Sequence, residues 1–94
     1  MKNKFDLSDF TNILTEQKVL CDLVNRVKER RKELKITQLD LSKRSGVSYG
    51  SIRRFESIGE ISFNSLLKIA NALNALMEFT LLFSKENVTD LKDY

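Results

Sequence analysis

Apolar residues recur three and four positions apart along most of this chain, and capping residues and glycines separate the runs. Behind Thr15, an N-cap residue, Leu20, Leu23, Val24, Val27 and Leu34 repeat at helical spacing and predict a long amphipathic helix. Its other side carries Arg26, Lys28, Arg30 and Lys32, with Glu29 and Glu33 placed to pair with the two lysines on the surface. Asp6 or Ser8 is placed to cap a shorter helix before it, over Phe10, Ile13 and Leu14. Thr37 caps a short helix whose apolar positions are Leu39 and Leu41, with small Ser42 and Ser45 beside them. Gly46 then stands where the chain must turn sharply, because glycine reaches positive φ without the steric cost of a side chain. Val47 plugs that corner, Ser48 caps the next helix, and Ile52 and Phe55 mark its buried face. SIGEI, residues 57–61, is a connector with Gly59 as its flexible point. Ser62 caps a last helix in which Phe63, Leu66, Leu67, Ile69, Ala70 and Leu73 close the core. With no proline and only three glycines, the whole reads as an all-α domain.

The helix after Ser48 leaves one face uncommitted to the core. At about 100° per residue, Gly50 and Arg54 point most directly away from Ile52 and Phe55. Arg53 and Ser57 lie beside them, and Tyr49 sits on the flank near the helix start. The charge distribution favours the same region. The net charge is only +3, yet from Arg26 to Arg54 there are 10 Lys or Arg against 3 acids, a local +7, and the remainder sums to −4. Such a field draws a polyanion to the two central helices and leaves the acidic, apolar ends free to meet a protein.

Composition removes other function classes. Ninety-four residues make one small domain near the size at which a partner often adds stability, so a homodimer is plausible on size alone. Without histidine no Ser–His or Cys–His pair can activate a nucleophile, and the single thiol cannot build a zinc site. We therefore expect no enzyme activity, no metal and no cofactor. Cys21 falls in the apolar pattern of the long helix and reads as a small hydrophobe. One cysteine allows no internal disulfide, no apolar run approaches a membrane span, and MKNKFDLSDF lacks the apolar core of a signal peptide. A soluble cytoplasmic protein is expected.

Residues 37–56 follow the pattern TQ-x-x-L-S-x-x-x-G-V-S-x-x-x-I-x-x-x-E, which resembles the Xre-like, or lambda-repressor-like, helix-turn-helix family. RVKERRKELKI upstream is similar to that family's first helix and SFNSLLKIANAL downstream to its fourth, so roughly residues 22–75 are covered. The resemblance implies a five-helix lambda-repressor-like DNA-binding domain. It also implies that Gln38 contacts a phosphate, that Tyr49, Gly50 and Arg54 occupy base-reading positions, and that Arg31 and Glu56 form a structural pair locking the first helix to the recognition helix. To these we add Arg53 as a base or phosphate contact and Lys43, Ser48 and Ser57 as phosphate contacts. The chain departs from the family pattern at three places. Gly50 replaces a base-contacting side chain, Lys35 occupies a corner where glycine or asparagine is frequent, and SIGEI lacks the basic residues that often hold phosphate there.

A single domain over residues 1–94 is expected, with its core at about 16–76, an N-terminal extension over 1–15 and a C-terminal segment over 77–94. Within MEFTLLF, residues 77–83, Phe79, Leu81 and Phe83 alternate as in a strand. Two forms stay open: a fifth helix packed on its own core, or a short strand exchanged across a dimer, which would make the end similar to HipB-type antitoxins. The polar tail after Ser84 is expected to fray. The expected function is a bacterial or phage regulator that binds double-stranded DNA sequence-specifically as a dimer on an inverted repeat, acting as a repressor. The alternative is an antitoxin that also binds a toxin protein such as a HipA-like kinase.

Overall fold

The computed structural model describes residues 13–86. Helices α1 (Glu16–Glu33), α2 (Gln38–Ser45), α3 (Tyr49–Ile58) and α4 (Phe63–Ala72) follow in order, and a 3-10 turn over Leu76–Leu81 comes after them. The expected helix capped by Asp6 or Ser8 falls largely outside the described residues; Ile13 and Leu14 lead into α1 non-helical and exposed. The end of the tail beyond residue 86 lies outside them too.

The four caps are the ones the pattern names. Thr15, Thr37, Ser48 and Ser62 each accept a hydrogen bond from the backbone N–H three residues on. Thr37 completes a capping box, since its own N–H donates to Asp40. Each such cap contributes about 1 kcal/mol.

The helix ends divide into two kinds. Gly46 at φ +80° and Gly59 at φ +79° stop α2 and α3 in the left-handed region. Gly59 is therefore a fixed stop rather than the flexible point expected of it, and a Cβ there would meet Leu20 Cδ2 at 3.1 Å. Lys35 at φ +58° and Asn74 at φ +61° do the same work without being glycine. After α1, the Ile36 N–H reaches back to the Arg31 carbonyl and the Lys35 N–H to that of Lys32, a Schellman closure with lysine in the left-handed position.

Two clusters make up the core. Ile36, Leu41, Val47, Ile52, Ile69 and Leu73 form one; Val24, Phe55 and Leu66 form the other, with Val27 and Ile61 packed against both. The α2–α3 turn is held inside the first. Val47 is buried as expected of a corner plug, and both of its backbone groups are satisfied by serines of α2. Ser42 Oγ donates to its carbonyl at 2.6 Å, and its N–H donates to Ser45 Oγ at 3.1 Å. A buried turn with either group unpaired would cost about 1–3 kcal/mol.

Three expected core residues lie outside. Leu34 is 41% exposed because it is already the C-cap of α1, and Leu39 is 51% exposed because it lies two positions from buried Leu41 and faces away. Phe63 is 56% exposed, with its ring 6.2 Å from that of Phe79 at a 59° tilt. Residues 76–81 form neither an α-helix nor a strand. Glu78 N–H bonds the Ala75 carbonyl and Leu82 N–H that of Phe79, so this backbone is satisfied locally and needs no partner strand. Phe79 turns onto the second cluster, and Arg30 fastens the segment by bonding Glu78 at 3.1 Å and the Leu73 carbonyl at 3.4 Å.

Candidate nucleic-acid interface

Ile52 and Phe55 are fully buried, which sends the opposite face of α3 outward. Tyr49, Gly50, Arg53, Arg54 and Ser57 are all exposed, as the helical arithmetic requires. Arg53 lies over the ring of Tyr49 one turn earlier, its guanidinium carbon 5.6 Å from the centroid. Gly50 has no packing reason to be glycine: a Cβ built there has no neighbour within 4 Å, and its φ is not positive.

Beneath this face, Arg31 and Glu56 are buried and joined. Arg31 Nε donates to Glu56 Oε2 at 2.8 Å and Nη2 to Oε1 at 3.0 Å, while Nη1 holds the Ile36 carbonyl at 2.9 Å. Gln38 Nε2 adds a third donor to Glu56, at 2.9 Å. Burial pushes the Glu56 carboxyl towards protonation. The bonds from Arg31 and Gln38 and the charges of Arg31 and Lys28 outweigh it, so the pKa lies below the ordinary glutamate value.

An open concavity of about 680 Å³ lies between α1, the start of α2 and the outer face of α3. Lys28, Arg31, Lys32, Gln38, Gly50, Arg53, Arg54, Glu56, Ser57 and Ile58 line it. Five of these ten carry a positive charge and one a negative, and the negative one is neutralised by Arg31.

The helix-turn-helix family model matches residues 27–77. The chain belongs to that family, in its Xre or lambda-repressor-like branch. It is a DNA-binding transcription regulator. No curated protein and no solved structure matches the chain.

Within this helix-turn-helix the anticipated site residues separate into groups. Gln38, Gly50, Arg53, Arg54 and Ser57 gather around the concavity; Tyr49, Lys43 and Ser48 lie outside its lining. Ser48 Oγ is occupied as the α3 cap and bonds Ser51 Oγ at 2.8 Å. Ser57 Oγ donates to the Arg54 carbonyl, and Gln38 spends its amide on Glu56. Arg31 and Glu56 are joined in the buried pair described above, and Gly46 ends α2 at φ +80°.

The helical pattern places Lys28 and Lys32 on the surface beside Glu29 and Glu33, whereas in the structure both line the concavity. Among the described residues no ion pair links them to Glu29 or Glu33. A signal for this was present, because Lys28 stands one helical turn before Arg31, and Arg31 had to face the recognition helix to reach Glu56. Among the described residues no group of side chains is arranged to hold a metal ion, and no helix is long and apolar enough to cross a membrane.

Proposed function

We propose that the chain is a sequence-specific repressor that binds double-stranded DNA as a homodimer on an inverted repeat. The observation that carries this reading is the outer face of α3, which is free of core contacts and borders a concavity rich in Lys and Arg. Each subunit lays α3 in a major groove, the two grooves about 34 Å apart on one side of the duplex, and occupancy excludes polymerase. Arg54 reads guanine through O6 and N7, a contact worth ~1–3 kcal/mol of discrimination. Tyr49 and Arg53 act as one stacked unit at the start of α3, and Gly50 lets a base edge or backbone come close. Lys43 meets a phosphate directly, Gln38 with the amide proton it does not give to Glu56, and Ser48 and Ser57 once their hydroxyls turn from Ser51 and the Arg54 carbonyl. These contacts set register without reading sequence. The protein works in the cytoplasm, by binding and without a cofactor.

Fluorescence anisotropy tests this reading on duplexes from the protein's own promoter and on scrambled controls, at two salt concentrations, with Arg54→Ala alongside. Selective binding that the variant loses is the expected result. Equal and steeply salt-dependent binding to both duplexes would overturn sequence-specific recognition.

A second reading is favoured by one observation. Leu76, Met77, Leu81, Leu82 and Phe83 leave their side chains exposed on one short segment. Such a segment suits a protein partner, either the second subunit or, in an antitoxin of HipB type, a toxin such as a HipA-like kinase. In the antitoxin case truncating residues 1–20 and 77–94 abolishes neutralisation of the toxin while DNA contact through Arg54 survives.

A further inference from the structure

Arg54 is not free in solution-facing space. Its Nε and Nη2 both donate to Oε1 of Glu60, at 2.9 and 2.6 Å, across the connector that follows α3. Glu60 is not on a loose loop. The residue before it, Gly59, turns at φ +79° where a side chain would meet Leu20, and the residue after it, Ile61, packs on both core clusters. The Glu60 backbone is therefore anchored beside α3, and the pair its side chain forms with Arg54 is open to solvent, with 62% of each side chain exposed.

The geometry matters because a guanidinium has two usable forks. Glu60 occupies the side fork, made of Nε–H and one Nη2–H. The end fork, made of Nη1–H and the other Nη2–H, remains for a ligand. We propose that Glu60 is a positioning residue that holds Arg54 by its side fork, so that the end fork is presented to a guanine edge and a passing phosphate is repelled. This rests on the reading of Arg54 as a base contact. Because the end fork stays free, DNA can bind it without breaking the pair. Because the pair is exposed, the bias it sets against other contacts is modest. A phosphate oxygen competing for the side fork must displace a carboxylate, whereas guanine O6 and N7 accept from the end fork and leave Glu60 in place. Glu60 thus lowers affinity for DNA in general and lowers it least for the correct site.

The test uses the full chain, a duplex enriched by the wild-type protein from a randomised library, and a scrambled duplex of the same composition. Glu60→Gln and Glu60→Ala are compared with wild type at several salt concentrations, and Glu60→Asp serves as the conservative variant. Both neutral variants are expected to bind the scrambled duplex more tightly, and the selectivity ratio to fall by roughly two- to fivefold. Glu60→Asp should recover part of the ratio. In the free protein, NMR of the arginine Nε–H groups should show Arg54 more restrained than exposed Arg44, and equally mobile once Glu60 is glutamine. If the neutral variants gain affinity for both duplexes by one common factor, or if Arg54 is as mobile as Arg44 in wild type, the positioning role is overturned while base reading by Arg54 stands. If the wild-type chain enriches no duplex, base reading fails and the role of Glu60 fails with it.

Discussion

Arg31 and Glu56, 25 residues apart, meet as a two-pronged ion pair in which neither side chain is more than 10% exposed. The pair joins α1 to the recognition helix, and Gln38 on α2 bonds the same carboxylate, so one buried anion ties together the three helices that define the interface.

Removing one partner strands the other. Arg31→Ala or Glu56→Ala should each cost about 3–5 kcal/mol of folding stability in urea denaturation. Arg31→Met with Glu56→Leu should recover much of that loss, because two apolar side chains leave no unpaired charge. Coupling is read from the matching double, Arg31→Ala with Glu56→Ala: a loss equal to the sum of the two alanine singles would show that the pair contributes none.

Acid should act through the same carboxylate. The folded pKa of Glu56 is below the ordinary glutamate value of 4.5, so its contribution is complete from about one pH unit above that value and is lost as pH falls through the folded value. Asp40, whose carboxyl is lowered chiefly by its bonds to Thr37, works in the same direction. The urea midpoint should therefore be flat above that pH and decline below it, and Glu56→Gln should flatten the decline.

Left-handed helix ends give a pair of opposite stability predictions. Lys35→Gly relieves a left-handed lysine at φ +58° and should add about 1 kcal/mol, a rise in Tm of about 4–8 °C. Gly59→Ala should lower Tm by more than Gly46→Ala does, since both force alanine into positive φ but only Gly59 also abuts Leu20.

Gly50 gives a case in which folding and binding should diverge. A methyl there meets nothing, so Gly50→Ala should stabilise α3 by about 0.5–1 kcal/mol in thermal melts. The same change should weaken DNA binding in an anisotropy titration if the duplex approaches this helix closely. Unchanged affinity would remove close approach as the reason for the glycine.

Lys28 and Lys32 should behave as backbone contacts. Replacing both with alanine is expected to weaken binding to every duplex alike and to reduce the slope of log affinity against log salt by about 2. A loss confined to one sequence would assign them to base reading instead.

Helix positions, caps and the turn were legible in the chain because each depends on neighbours within four residues. Thr15, Thr37, Ser48 and Ser62 start the helices they were expected to start, and Gly46 turns where it had to. The outward face of α3 was legible for the same reason, since Ile52 and Phe55 fix its rotation. Other features were decided by tertiary packing. The 3-10 turn at Leu76–Leu81 depends on Phe79 meeting Phe63 and on Arg30 reaching Glu78 from 48 residues away. The entry of Lys28 and Lys32 into the concavity depends on how α1 crosses α3, and the capture of Arg54 by Glu60 depends on the path of the connector after Gly59. Periodicity states which side of a helix is apolar; only the packed arrangement states which charged side chain faces which.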